Sequence, residues 1–285
     1  MSRSSPGVGR VAAILNFIAD HPGQAFALTD LVRALKLSRA TCHALLTGLV
    51  DVGYLYRTSE KTYVLGPALV ALGRSAAEHF SPVQIAQPEM RRIADDFDVV
   101  CGAYFLEGET LHLRDRAASA SHVGYPVPLG TRMKLHWTQA ITFFARSRKE
   151  ADGWLARVSP HAGAEQVDLM RRGLDFVQAH GFVPLVRKPG VSLPLTGNPD
   201  EFVPPDGDDI PVTPQVEFSD ESYYPLAAIM APIFDARGKV AFALVMAGFR
   251  TALSGQQVMQ AGKQLADACD RISIFISGKV PQAAE

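Results

Sequence analysis

Arg39, His43 and Thr47 stand four residues apart, with Ala40 and Ala44 between them. At helical spacing these five share one face, small and polar, with one strong cation at its N-terminal end. Cys42, Leu45, Leu46 and Leu49 recur at i, i+3, i+4 and i+7, the apolar stripe that would hold such a helix to a core. Ser38 precedes it as an N-cap, its hydroxyl placed to accept a free backbone N–H of the first turn. The chemistry implied is recognition. A guanidinium beside the free N–H groups of a helix start favours a phosphate or a guanine edge. His43 and Thr47, one and two turns on, are placed for base edges, and Thr41, one position off the face, for the backbone. An ordinary solvated helix face has the same pattern, so the flanking elements decide.

Those elements are short and closely spaced. Val8, Val11, Ile14, Leu15 and Ile18 predict a helix to Ala19, ended by His21-Pro22-Gly23. Thr29 is placed to cap a second helix, Asp30–Lys36, with Leu31, Val32 and Leu35 inward, and Lys36-Leu37-Ser38 is a tight link to the third. Two short helices with such a turn form the helix-turn-helix pattern. Gly53 breaks the third helix. Tyr54–Arg57 and Thr62–Leu65 then read as a hairpin around Thr58-Ser59-Glu60-Lys61, a wing with Arg57 and Lys61 at its tip for phosphate contact. A helix through Leu69, Leu72 and Ala76 runs to about Phe80, and another from Pro82 to Phe97, bent at Pro88.

Leu-Thr-Asp-Leu, Leu-Ser-Arg-Ala-Thr-Cys-His-Ala-Leu-Leu, Gly-Tyr-Leu and Tyr-Val-Leu-Gly-Pro follow one another at a spacing that resembles the DNA-binding half of the IclR family of bacterial transcription regulators. The resemblance implies an α+β chain: a winged helix-turn-helix at 1–66, a linker helix at 67–80, and a GAF-like α/β effector-binding domain at 81–285. It implies a double-stranded DNA operator, a small-molecule effector, and a homodimer or tetramer in which the first helix joins DNA-binding domains over two half-sites. Three departures bear on sequence preference: Ala44 where the family often has arginine, Lys36 where it often has glycine, and Ser59-Glu60 where it usually has Asp-Gly.

The second half agrees. Val99–Leu106 and Thr110–Arg114 read as a hairpin; Gly130–Thr138 leads into a helix carrying Ile141, Phe143 and Phe144. Trp154–Val158 and Val167–His180 read as helices, Ala227–Phe234 and Lys239–Phe249 as long buried strands, and Ser254 caps a closing helix to about Ile276. In family members that bind small carboxylates, a Gly-Ala pair holds the acid; Gln139-Ala140 stands there. The family's pocket cysteine falls on Ala228, its two pocket serines on Val245 and Ala247, and its acid near Phe218. A pocket without those polar groups cannot hold a small oxyanion. The resemblance therefore implies a larger, drier site bordered by Trp137, Gln139, Ala140, Phe143, Ala228, Val245 and Ala247, for a hydrophobic or aromatic effector with one polar end. The alternative is that these residues only pack the core. Arg187 to Asp220, with seven prolines and acids from Asp200 to Asp209, reads as an extended Pro-rich insertion at about 187–220 that buries little. It reads either as a solvated loop or as a lid or arm.

Composition narrows the class. With 47% hydrophobic and 20% charged residues, 285 residues can pack one or two domains. A net charge of −1 excludes binding of polyanions by bulk charge. The first 63 residues nonetheless carry seven cations (Arg3, Arg10, Arg33, Lys36, Arg39, Arg57, Lys61) against four acids (Asp20, Asp30, Asp51, Glu60). Cys42, Cys101 and Cys269 lack metal or redox spacing and read as reduced thiols of a cytoplasmic protein. There is no membrane-length apolar run, nucleophile elbow, phosphate loop or metal cluster, so the chain reads as no enzyme, with no cofactor. An effector-independent regulator and a protein-binding dimeric scaffold are the competing readings.

Overall fold

Proline at a helix start costs no hydrogen bond, and α1 (Pro6–Ala19) begins on one. The fold is taken from a computed structural model, which describes residues 5–21, 23–79, 81–122, 127–158, 163–189, 211–219 and 221–277. The chain forms two units, Met1–Ser81 and Pro82–Glu285.

In the first unit α1 is followed by β1 (Phe26–Ala27), α2 (Leu28–Leu35), α3 (Arg39–Asp51), β2 (Leu55–Arg57), β3 (Thr62–Leu65) and α4 (Ala68–His79). The strands form an antiparallel sheet in the order β1-β3-β2. Ile14, Ile18, Leu31, Cys42, Leu46, Leu49, Leu55 and Tyr63 make one core, so every element except α4 contributes to it or packs against it. One expectation is corrected. The second helix starts two residues before Asp30, with Ala27 as its cap residue, because Phe26 and Ala27 are held by β3; the Asp30 carboxylate accepts the Ala27 N–H at 2.9 Å. The N-terminal half of α1 is exposed, Val8 included. Leu72 of α4 is 50% exposed, and Phe80 lies outside the described residues.

The second unit comprises α5 (Pro82–Phe97), β4 (Val100–Glu107), β5 (Thr110–Ala118), β6 (Arg132–Lys134), α6 (Trp137–Phe143), α7 (Arg148–Val158), α8 (Ala164–His180), β7 (Val183–Arg187), β8 (Val212–Pro214), β9 (Tyr223–Tyr224), β10 (Leu226–Phe234), β11 (Val240–Ala247), β12 (Leu253–Ser254) and α9 (Gly255–Ile276). Seven strands form one sheet in the order β6-β5-β4-β11-β10-β7-β8, every neighbouring pair antiparallel. Its central strands are apolar on both faces. Phe242, Leu244 and Met246 of β11 join α5 and α9 in one cluster; Ala243 and Val245, between them, join α6, α7 and α8 in the other. Helices therefore cover both faces. The covering is close: a Cβ on Gly262 of α9 would stand 2.0 Å from the Phe182 ring.

The segment read as an insertion at about 187–220 needs a correction. Residues 190–210 and 220 lie outside the described residues, and the lid and arm readings with them. The part that is described is not a loop that buries little. β8 pairs with β7 at the sheet edge, Val212 is buried, and Val216 and Phe218 pack on the α5–α9 cluster. The prolines hid the apolar spacing Val212, Val216, Phe218; Pro214 sits on an edge strand, where a missing N–H is tolerated.

Among the described residues no helix is long and apolar enough to cross a membrane. Cys42, Cys101 and Cys269 are unpaired and buried, and burial pushes the Cys101 thiol up to about 12.

α5 and α9 are tied by Glu89, whose carboxylate accepts from Nε and Nη2 of Arg271 at 2.9 Å each and from Arg92. The Arg271 hydrogen bond is the main reason that Glu89 titrates below its ordinary value of 4.5. A depressed folded-state pKa stabilises the fold above the unfolded value, and that stability is lost as pH falls through the folded value. Glu89→Gln should therefore melt below the parent at pH 7, the gap closing below about pH 4.5 as Glu89 protonates. Thermal unfolding by circular dichroism at pH 7 and pH 3.5 checks it; a gap of equal size at both pH values contradicts the ion-pair account.

Candidate functional site

The outer face of α3 is fixed by what its inner face buries. Cys42, Leu46 and Leu49 are in the core, which leaves Arg39, Ala40, His43, Ala44 and Thr47 exposed. At its start the Ser38 Oγ accepts the Thr41 N–H at 3.1 Å and donates to Thr41 Oγ1 at 2.8 Å. This cap orders the first turn and leaves the neighbouring N–H groups and Arg39 directed outward. It also occupies the half-buried Thr41 hydroxyl. Thr47 donates its hydroxyl to the His43 carbonyl at 2.9 Å, so toward a ligand it presents a methyl group and an acceptor pair.

The link into α3 turns on Lys36, which closes α2 in the left-handed conformation, φ 53°. This is where the resemblance places glycine, and it is the conformation that favours glycine. The hairpin tip has the same feature: Lys61 has φ 63°, with Thr58 and Thr62 bonded across the tip. The residue that needs a left-handed backbone is Lys61, one place beyond the Ser59-Glu60 pair. Arg57 pairs with Tyr63 across the hairpin, its guanidinium 5.9 Å from the Tyr63 ring centre, and both Arg57 and Lys61 are exposed. Helix face and wing thus belong to one folded unit, with their cations exposed.

In the second unit, register and packing bring six of the seven residues expected at an effector site to one side of the sheet. Ala140, Phe143 and Val245 are in the cluster under α6, α7 and α8; Trp137 and Ala228 pack on it; Ala247, two residues from Val245, lies directly across from Ala228. Gln139 differs. Its carbonyl oxygen accepts the His136 N–H at 3.1 Å and its amide lies 3.9 Å from the Met133 sulfur, so it serves the start of α6. His136 Nδ1 and Thr138 Oγ1, 2.9 Å apart and buried, complete that cap.

Sequence reasoning passed over three polar atoms of this layer. Thr142 Oγ1, Trp154 Nε1 and Arg187 Nε are buried with no hydrogen-bond partner among the described residues. Strand alternation carried one signal: Arg187 follows Val183 and Leu185 at i+4 and i+2, so it shares their face. A cavity of about 900 Å³ lies elsewhere, lined among others by Gln178, Phe182, Phe234, Gln260, Lys263 and Asp270, and none of those seven residues lines it. Among the described residues no group of three His, Cys, Asp or Glu side chains is placed to hold a metal.

Comparison with known proteins agrees with this geometry. The model of the IclR helix-turn-helix domain matches residues 7–59. The HTH-type transcriptional regulator KipR of Bacillus subtilis (strain 168) is 20% identical over 273 residues, 96% of this chain and 98% of KipR. A putative ICLR transcriptional regulator from Silicibacter sp. TM1040 superposes with a TM-score of 0.63 at 18% identity, covering 97% of this chain and 98% of its own. HmgR of Pseudomonas aeruginosa gives 0.57 at 17%, covering 98% of this chain and all of its own, and the repressor BlcR of Agobacterium tumefaciens 0.56 at 17%, covering 97% and 99%. These likenesses show the two-part fold.

Two substitutions should move the stability of α3 in opposite directions. Ser38→Ala removes the cap and should cost about 1 kcal/mol. Lys36→Gly relieves a left-handed lysine and should gain about 0.5–1 kcal/mol after the added freedom of the unfolded chain is subtracted. Hydrogen exchange at the Leu46 and Leu49 amides reads both; equal protection in the two variants contradicts the cap and the turn as described.

Proposed function

We propose that this chain, an IclR-type DNA-binding transcriptional regulator by its helix-turn-helix domain and its two-part fold, reads its operator as a dimer and responds to a small apolar effector. The observation that carries the DNA reading is the capped α3, with Arg39, His43, Ala44 and Thr47 exposed in the same unit as a cationic hairpin tip. Laid in the major groove, such a helix places Arg39 and the free N–H groups of its first turn on phosphate or a guanine edge, and His43 and Thr47 on base edges. Arg57 and Lys61 then neutralise phosphates without reading sequence. The short side chain at Ala44 removes one long base contact, which fits an operator unlike that of relatives with arginine there.

Exposed apolar side chains support the dimer. Val8, Val70 and Leu72 are 69%, 64% and 50% exposed in α1 and α4. A second copy of this chain is the occupant proposed, and it sets two half-sites about one helical turn (~34 Å) or more apart. The effector reading rests on the apolar residues gathered under α6: Trp137, Ala140, Phe143, Ala228, Val245 and Ala247.

Gel shift on the intergenic DNA upstream of the gene tests the DNA reading. Arg39→Ala with His43→Ala should weaken binding at least about tenfold and relax sequence preference. Arg57→Ala with Lys61→Ala should weaken all sequences alike and reduce the slope of log affinity against log salt by about 2, near 0.9 for each lost phosphate contact. Binding by the first variant that is unchanged and insensitive to salt would exclude the groove model.

A further inference from the structure

We infer that the middle of α3 reads thymine: a lane of small residues, Ala40, Ala44, Thr47 and Gly48, meets the floor of the groove closely, and the base pairs beneath it are T·A pairs recognised by their C5-methyl groups. This rests on the DNA reading above and names what that helix face selects.

Each residue of a helix is turned about 100° around the axis from the one before it. Opposite the buried stripe Cys42, Leu46 and Leu49 therefore stand Ala40, Ala44, Thr47 and Gly48, all exposed, with Arg39 and His43 along one edge. Asp51 falls on the same line but is the last residue of α3, and a recognition helix meets bases with its N-terminal part. Thr47 donates its hydroxyl proton to the His43 carbonyl, 2.9 Å away, so it offers a methyl group and an acceptor. Two alanine methyl groups complete the lane, so no side chain in it has a hydrogen bond left to donate.

Gly48 is the independent observation. Glycine inside a helix weakens it, and the fold does not call for one here: a Cβ at Gly48 would meet no atom within 4 Å outside its own stretch of helix. Gly173 and Gly262, by contrast, each admit a neighbouring side chain. A helical glycine with open space beside it fits a backbone that something outside the chain approaches closely. In the major groove the base edges present donors and acceptors, and the apolar group among them is the thymine C5-methyl. An alanine methyl laid on an amino group or a carbonyl leaves that group without water or partner, whereas on a thymine methyl it buries apolar surface. The Thr47 acceptor also suits the adenine amino group of the same pair. From Ala40 to Gly48 the lane is about 12 Å long, three to four base pairs at about 3.4 Å each, so the thymines fall together within a half-site.

The test uses the full chain and duplexes that it selects from a random-sequence library, each thymine then replaced singly by deoxyuridine, which removes the methyl and keeps the base pairing. Selected half-sites should share thymines within a run of about four base pairs. Deoxyuridine at one of them should weaken binding about fourfold, the contribution of one buried methyl-sized group. Thr47→Ser, which keeps the hydroxyl and loses the methyl, should bind the thymine and deoxyuridine duplexes equally at one position, where Thr47→Val should keep the difference. Gly48→Ala should raise the melting temperature of the free protein yet weaken its DNA binding about tenfold, because the added methyl fills space that the groove floor needs. Unchanged DNA binding by Gly48→Ala, or a lower melting temperature, overturns the close approach. Equal affinity for thymine and deoxyuridine at every position of a selected duplex overturns the thymine reading and leaves the DNA reading standing. A library that yields no preferred sequence overturns both.

Discussion

The stripe Cys42, Leu46, Leu49 on α3 is the contact on which the rest of the DNA-facing unit depends. It buries against Ile14, Ile18, Leu31, Leu55 and Tyr63, which between them come from α1, α2 and the hairpin. Full burial of one such aliphatic side chain contributes about 1.5–3 kcal/mol, more than any cap or turn in the unit. One burial therefore fixes the rotation of α3 and orients Arg39 and His43 outward. The unit has few redundant supports, so that rotation is set by a handful of side chains and protected at one end by Ser38.

A different constraint governs the second unit. A sheet whose central strands are apolar on both faces must be covered twice, and the covering helices have little freedom: Gly262 admits Phe182 directly, and Gly173 of α8 admits Ile141 of α6. Close packing of this kind is intolerant of polar atoms without partners. Where such atoms persist among the described residues, Thr142 belongs to α6, Trp154 to α7 and Arg187 to the end of β7. By contrast Glu89, Arg92 and Arg271 satisfy one another at the surface of α5 and α9.

Much of this was readable in the residues because it rested on local rules. Ser38 and Ser254 cap the helices predicted for them, and the strands around Asp235 fall where alternating apolar runs end at Gly238. Misreadings came where tertiary pairing overrode local preference. Nothing local to Phe26 and Ala27 announces a strand; it exists because β3 offers a free edge. Val212, Val216 and Phe218 were obscured by prolines and acids that dominate their window. Arg187 was legible as the third residue of an alternating run, but its neighbour needed the register, since only the pairing of β7 with β8 sets it opposite Val212.

The two left-handed lysines belong to the same argument about cost and return. A residue with a Cβ in that conformation costs about 1–2 kcal/mol relative to an ordinary backbone, and both Lys36 and Lys61 lie in the DNA-facing unit, one in the turn before α3 and one at the hairpin tip. Glycine would relieve each position. It would also remove a cation from either side of α3 in a chain whose net charge is −1. On the proposed reading Lys61 releases a counter-ion on contact with a phosphate, a gain that is realised only in the complex and fades as salt rises. On that reading, strain borne at Lys61 in the free protein and offset in the complex makes the hairpin tip favour binding over stability, which a purely structural turn has no reason to do.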